Sequence, residues 1–385
     1  MRVKACAVLQ IVALALGVRL AGAAGAVRDL PGFRGNALLP CDDISSTCLT
    51  DPGTPRSLGF TIDFFDTQIS GVFVNNNGNV TFDGPLDDFV PFDLTQTQRQ
   101  IIAPFFADVD TRAQGSGVVV YGTDTVDGHP AFGVIWDNVG YYDVHTDLLN
   151  RFQLVLIDRS DTGPGNFDIE FDYDRIAWEA GDIEGVGGLA NEGTGPRAGY
   201  SNGGDTSLQL GGSGSPRAFL DGTAATALTQ HGFGSTQPGR YVFPVRDGRP
   251  SAVDVQGPSR PVPSSRAAAI VVHADPGSAC EAQLFAVSGD MPAARAVPSS
   301  KVRIDGPTPL VSGGFAIGEP VSGIKTKTVG RKGRAKLKLR LNATGKALLK
   351  TPDSGGQLVV LVRTTVRTPQ LPIVLDRLLT FRRGR

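Results

Sequence analysis

The pentapeptide Gly199-Tyr200-Ser201-Asn202-Gly203 fits the G-x-S-x-G pattern that presents a nucleophilic serine in many hydrolases. Such an elbow needs a strand before the serine and a helix after it, so that the hydroxyl stands exposed at the helix N-terminus. Here the serine is followed by Gly203-Gly204-Asp205-Thr206 and then by further glycines. Glycine surrenders the most backbone entropy on ordering, so this run does not propagate a helix. His231 could act as a base with Asp205 or Asp221 to orient it, but the local structure speaks against acyl transfer. His129, His145 and His273 stand in dissimilar contexts, with no H-E-x-x-H or paired spacing to hold a catalytic zinc. No Gly-Lys loop is present to cradle phosphate.

Carboxylates are the other candidates. Asp168, Glu170, Asp172 and Asp174 alternate with Phe167, Ile169, Phe171 and Tyr173. Counted from Asp168, Glu179 falls at position 12 of a calcium loop, but position 6, which must turn sharply at a glycine, is Tyr173. Strict alternation instead predicts a strand with one apolar and one acidic, solvated face. Like charges about 7 Å apart along that face repel, and Arg151 or Arg175 would relieve them. Asp108 and Asp110 follow the apolar Ala103-Pro104-Phe105-Phe106, where a strand enters a loop. They either cap turn N–H groups or offer hard oxygen ligands to calcium. Weak calcium binding through Asp108, Asp110, Asp168, Glu170 and Asp172 therefore stays open, with Asp137, Asp143 and Asp147 nearby in acidic loops. No other cofactor is implied.

Residues 1–26 read as an export signal, with Arg2 and Lys4 ahead of the apolar Ala5 to Val18 and small-residue cleavage sites after Ala23 or Ala26. Arg19 interrupts the apolar run, so a membrane span is not expected there, and no later segment offers one. In an oxidising compartment Cys41 and Cys48, seven residues apart in a Pro/Asp/Ser-rich stretch, are expected to form a local disulfide. Cys280 is expected to be a buried free thiol.

Charge divides the chain. Residues 58–200 carry 23 Asp/Glu against 6 Arg and no Lys, whereas residues 301–385 carry 18 Lys/Arg against 4 Asp/Glu. The near-zero total thus conceals balances of −17 and +14, as expected of separately built domains. In the basic half, Lys336-Leu337-Lys338-Leu339-Arg340 alternates as a half-buried strand. Its cations, with Lys332 and Arg334, are candidates for contact with anionic polymers. Only Phe315 and Phe381 are aromatic beyond residue 300, which argues against base stacking and hence against nucleic acid.

The elements that must position these residues are strands. Runs such as GFTIDFF, GVVVYG, AFGVIW, RFQLVLID and NFDIEFDYDRIAW are bounded by turn residues. Asn77-Gly78 between two β-rich runs predicts a hairpin. Helix-like pieces are confined to Thr95–Ile102 and the neighbourhood of Ala343–Lys350. Residues 247–265, rich in Pro, Ser and Gly, read as a linker.

Ordered signatures between about Leu58 and Pro244 resemble the NIDO domain, the nidogen-like extracellular module also found in tectorin and large mucins. They are Gly71-Val72-Phe73-Val74-Asn75 with Asn77-Gly78-Asn79-Val80-Thr81-Phe82, then Ile102 to Asp110, Ala131 to Trp136, Asn150 to Leu156, Phe167 to Phe171 with Trp178, and Ala198 to Gly203. The resemblance implies an all-β fold, with a NIDO-type β-sandwich at 58–246 after an N-terminal loop segment at 27–57. Residues 266–385 more weakly resemble the basic β-sandwich modules of bacterial surface proteins, implying a second, smaller Ig-like β-sandwich. Three cysteines cannot supply the EGF-like or sushi modules of animal relatives. The implied function is that of a simpler, secreted, non-enzymatic protein of cell-matrix adhesion. Its partner would be an extracellular matrix or cell-surface protein or glycan. The alternative is a carbohydrate- or cell-envelope-polymer-binding module stacking sugars on exposed aromatics. Trp136 and Trp178 suit the core, so Tyr141 and Tyr142 are the better surface candidates.

Overall fold

The computed structural model describes residues 25–43, 48, 51, 53–222, 226–289, 315–351, 354–368 and 372–383. Residues 1–24 of the expected export segment lie outside them. The fold is all-β. One antiparallel sheet of eight strands runs in the order Asn36–Ala37, Val119–Val126, His129–Tyr141, His145–Asp158, Phe167–Arg175, Arg240–Arg246 and Arg249–Pro250, with Val109–Asp110 paired to His129–Tyr141. A second sheet begins Arg56–Phe64, Thr67–Asn75, Asn79–Thr81, Gln100–Phe106, Arg197–Asn202 and Thr206–Leu210. Aromatic side chains close the space between the two. Phe105 meets Phe152 at 5.3 Å between ring centroids, Phe64 meets Phe167 at 6.3 Å, and the Tyr173 hydroxyl donates to the Pro104 carbonyl at 2.6 Å. Burial of such rings dominates the stabilisation of a sandwich core.

The expected hairpin is present. Asn75 pairs with Asn79, and Gly78 sits at φ +74°. A Cβ there would also lie 1.7 Å from the Phe105 carbonyl oxygen, so both the conformation and the close approach demand glycine. The turn's buried asparagines are structural, since the Asn77 Oδ1 accepts from Val109 N–H at 3.1 Å and the Asn76 carbonyl accepts from Trp136 Nε1 at 2.8 Å.

The second sheet does not stop at Thr206–Leu210. Its edge pairs with Pro372–Arg382, placing Leu208 opposite Leu375, and the sheet continues through Gln357–Arg367, Ala279–Gly289 and Phe315–Pro320. A three-stranded sheet of Asp254–Gln256, Ala268–His273 and Arg334–Leu339 lies in the same C-terminal half. Its Val272, Leu337 and Leu339 share one hydrophobic core with Val360, Val362 and Phe381 and with the N-terminal sandwich. The expectation of a second, smaller Ig-like sandwich is therefore met only in its β-content, because one of its layers continues the first domain's sheet. Residues 247–265 carry three short paired strands, Arg249–Pro250, Asp254–Gln256 and Val262–Pro263.

Of the two helix-like pieces, Ala343–Leu348 is a helix whose Asn342 side chain accepts from Gly345 N–H at 2.9 Å. The other expectation fails. Asp93 draws Thr95 N–H to its side chain and Gln96 N–H to its carbonyl, making turns, and Gln100–Phe106 is a strand. The apolar Ile101 and Ile102 pack on opposite faces of that strand, which a helix would not allow. No helix among the described residues is long and apolar enough to cross a membrane.

Candidate metal centre

Two carboxylate groups emerge, and their environments differ. On Phe167–Arg175, Phe167, Ile169, Phe171 and Tyr173 face the core as expected. The acidic face is not solvated, however. Asp168, Glu170 and Asp172 are buried, Asp172 completely. The N-terminal segment lies over them: Val27 N–H donates to Asp174 at 3.0 Å, and Arg28 N–H donates to Gln153 Oε1 at 2.7 Å. Arginines neutralise each charge. Arg28 meets Glu170 at 2.6 Å, Arg240 meets Asp172 at 2.7 Å across the strand pair, and Asp168 takes Arg246 at 2.7 Å and Arg159 at 3.1 Å. Burial, reinforced by Glu170, raises the Asp172 carboxyl well above its ordinary range, while Arg240 pulls the other way. The expected partners are only half right. Arg151 holds Asp174 and Asp137. Arg175 follows a register shift after Tyr173 and turns to the Leu149 carbonyl and Asn138. Asp168, Glu170 and Asp172 thus each have a guanidinium partner, although Asp172 Oδ2 receives no hydrogen bond, and the arginines occupy the face where a cation would sit.

Asp108 sits otherwise. It follows the end of Gln100–Phe106 and is 1% exposed, yet neither of its carboxylate oxygens receives a hydrogen bond. Opposite it stand Asp42 and Asp43, and one carboxylate oxygen from each of the three lies within 4.8 Å of the others. The Cys41–Cys48 disulfide, with Cα atoms 5.5 Å apart, fastens the loop that delivers them. Cys41 is tied in turn to Thr111, donating to its hydroxyl and accepting its N–H, both at 2.9 Å. Asp43 accepts from Asn77 Nδ2 at 3.3 Å, and Asp42 takes Arg112 at 2.8 Å through one oxygen while the other has no donor. Burial, then the neighbouring charges of Asp43 and Glu184, push the Asp108 carboxyl up to about 10. Burial, then Asp43 and Asp110, push Asp42 up to about 7 against the pull of Arg112. Gly181 completes the wall, since a Cβ there would stand 2.3 Å from Asp108 Oδ2.

Asp110, expected alongside Asp108, is separate: Arg112 holds both of its oxygens, and Val144 N–H donates to one at 3.0 Å. Of the nearby acids, Asp137 pairs with Arg34 and Arg151, Asp143 lies 3.7 Å from Arg112, and Asp147 accepts from the Tyr141 hydroxyl. Asp42, Asp43 and Glu184 are not singled out by sequence reasoning. Their one legible signal is the adjacency of Asp42-Asp43 to a disulfide cysteine.

The remaining chemistry-bearing residues are consumed by the fold. Ser201 is buried in Arg197–Asn202 between Ile101 and Ser207 of the flanking strands, and its Oγ accepts Gly203 N–H at 3.2 Å. It does not stand at a helix N-terminus. Trp136 and Trp178 are fully buried, as expected. Tyr141 is buried too, contrary to its reading as a surface aromatic, and stacks on His145 with centroids 4.5 Å apart. Tyr142 alone is partly exposed, beneath Arg112.

The description that fits this architecture is "Nidogen-like domain", which matches residues 70–247. Those residues are a nidogen-like domain. Mouse alpha-tectorin is 31% identical over 221 residues, covering 50% of this chain and 9% of tectorin. Drosophila nidogen is 31% identical over 120 residues, covering 25% of this chain and 9% of nidogen. The chain thus spans under a tenth of the length of these relatives. A Salmonella alpha-2-macroglobulin crystal structure aligns at TM-score 0.23 and 11% identity over 76% of this chain and 20% of that one, a likeness too slight to carry an argument.

Besides the edge strand Arg56–Phe64, other parts of the chain outside the matched span complete the nidogen-like domain. Residues 26–43 cover its acidic face and supply Asp42 and Asp43, and Pro372–Arg382 covers its sheet edge. Beyond the domain, Arg334–Leu339 alternates as expected, with Arg334, Lys336 and Lys338 exposed and Ala335, Leu337 and Leu339 buried. Lys332 and Arg340 flank it, also exposed. Cys280 is a buried free thiol whose Sγ donates to the Lys327 carbonyl.

Proposed function

We propose that the chain is an exported, non-enzymatic protein of extracellular adhesion whose nidogen-like domain engages a matrix or cell-surface protein or glycan. The observation that carries this reading is the nidogen-like match of residues 70–247. Support for the non-enzymatic part comes from the fate of the candidate groups, with Ser201 sealed in a paired strand. Support for export comes from the apolar, basic-tipped N-terminus and from the Cys41–Cys48 disulfide, a bond typical of oxidising compartments. The test is a binding screen of the purified mature protein against matrix proteins, glycans and cell walls. Saturable binding to a matrix or surface component, lost when the nidogen-like domain is denatured, is expected. Turnover of an ester, peptide or glycoside by the pure protein would overturn the non-enzymatic reading.

A second reading, retention on an anionic cell-envelope polymer, is favoured by the exposed cations Lys332, Arg334, Lys336, Lys338 and Arg340. Among the described residues no carboxylate lies within ion-pair distance of any of them. Attraction of this kind is screened over about 8 Å at physiological salt. Binding to teichoic acid or heparin should fall steeply with ionic strength and should be weakened by charge reversal at Lys336 and Lys338. Salt-insensitive binding would exclude it.

A further inference from the structure

The acidic cluster around Asp108 plays no part in the adhesion reading, and its chemistry is unbalanced. Several other buried carboxylates have a cationic partner on at least one oxygen: Glu170 has Arg28, Asp172 has Arg240 on Oδ1 and Asp376 has Arg363. Glu179 is matched by the N–H groups of Arg217 and Phe219. Asp108 is as buried as these and has no donor on either oxygen. A buried carboxylate without a partner is costly, and here three more carboxyl groups, Asp42, Asp43 and Glu184, crowd the same point. Among the described residues, Arg112 is turned to Asp42 and Asp110 and forms no ion pair with Asp108.

We propose that Asp42, Asp43 and Asp108, with Glu184 adjoining, bind a calcium ion that joins the N-terminal disulfide loop to the nidogen-like domain. The donors are all hard oxygens with no histidine or thiolate, which selects calcium or magnesium over zinc or copper. Calcium holds its ligands at about 2.3–2.6 Å, so oxygens on opposite sides of it stand up to about 5 Å apart. The oxygens of Asp42, Asp43 and Asp108 meet that limit, all lying within 4.8 Å of one another. Magnesium demands a tighter, near-ideal octahedron. That requirement fits poorly with carboxylates delivered by a disulfide loop, a strand end and the loop holding Glu184. The loop ligands are pre-positioned by the disulfide and by the Cys41–Thr111 hydrogen bonds. Extracellular calcium modules typically bind at about 10⁻⁴–10⁻³ M, and this site is expected in that range.

The test uses the intact oxidised chain, stripped with EGTA and titrated with calcium chloride or, in parallel, magnesium chloride. Melting temperature is one readout, and terbium luminescence sensitised through Tyr142, whose Cβ lines the wall at Gly181, is the other. Calcium should raise the melting temperature by several degrees, magnesium by much less, and terbium emission should be displaced by calcium. Asp108→Asn should weaken binding at least tenfold while melting no lower than the wild type in EGTA, because a neutral amide replaces a buried carboxyl that no donor satisfies. Asp43→Asn, at a half-buried position, should weaken binding similarly and decides the matter if the Asp108 variant fails to fold. Glu192→Gln, an exposed acid outside the cluster, should respond like the wild type. Opening the disulfide with reductant should shift the calcium midpoint upward several-fold. Absence of any calcium response in the wild type, or an unchanged response in Asp43→Asn and Asp108→Asn, would overturn the site.

Discussion

Asp172 and Arg240 face each other across paired strands, and the carboxylate is fully buried. Arg240→Ala would strand that charge beside Glu170, so a loss of about 3–5 kcal/mol is expected. The urea midpoint reads it, and adding Asp172→Asn should recover much of the loss. A second buried acid predicts a pH dependence. Burial outweighs the Arg363 pairing and holds Asp376 up at about 6, against 3.8 for the free carboxyl. The folded protein therefore binds this proton more tightly than the unfolded chain. Its contribution favours folding at low pH and is lost as pH rises through about 4 to 6, an effect of about 3 kcal/mol. Asp376→Asn should flatten that limb of a stability–pH curve; an unchanged limb would assign it to other groups. At this scale the sequence was half legible. Alternation revealed which face of Phe167–Arg175 was acidic, but not that Arg28, far back in the chain, would cover it. Arg175, the nearest arginine, is displaced by a bulge that no local pattern announces.

Among the elements, the Asn-Gly hairpin was fully readable because its cause is local. Gly78→Ala should cost several kcal/mol, since the φ is left-handed and the Phe105 carbonyl blocks the added methyl. Thermal melting measures this, and a near-wild-type variant would show that the hairpin can shift. The disulfide was readable too, as two cysteines in one loop-like stretch. Opening it should cost about 2–3 kcal/mol on chain-entropy grounds for so short a loop. What the cysteines position was not readable, because Asp43 and Asp108 meet across a separation no periodicity spans. Export processing can be argued at this scale as well. Ala26 is buried and its carbonyl accepts from Arg240, so cleavage after Ala23 preserves packing that cleavage after Ala26 removes. N-terminal sequencing should therefore begin at Ala24; a start at Val27 would refute the argument.

For the whole molecule, opposite charge in the two halves suggested separate domains, and charge reports on surfaces alone. The pairing of Thr206–Leu210 with Pro372–Arg382 is apolar at Leu208, Leu210, Ile373 and Leu375, and such a joint leaves no mark on a charge count. A protease nick within residues 247–265 should therefore leave both fragments co-eluting in native buffer and parting only in denaturant. Separation without denaturant would mean that the strand joint contributes little.

That joint also bears on the order of folding. Chains are synthesised from the N-terminus, so every strand of the nidogen-like domain exists long before Pro372–Arg382 is made. Until then the edge at Thr206–Leu210 offers unpaired N–H and C=O groups to any other extended chain. Pairings so distant in sequence form slowly, and the waiting intermediate is exposed to aggregation. The final strand thus acts as a delayed closure, and a ribosome that stops early releases a protein whose flank is still sticky.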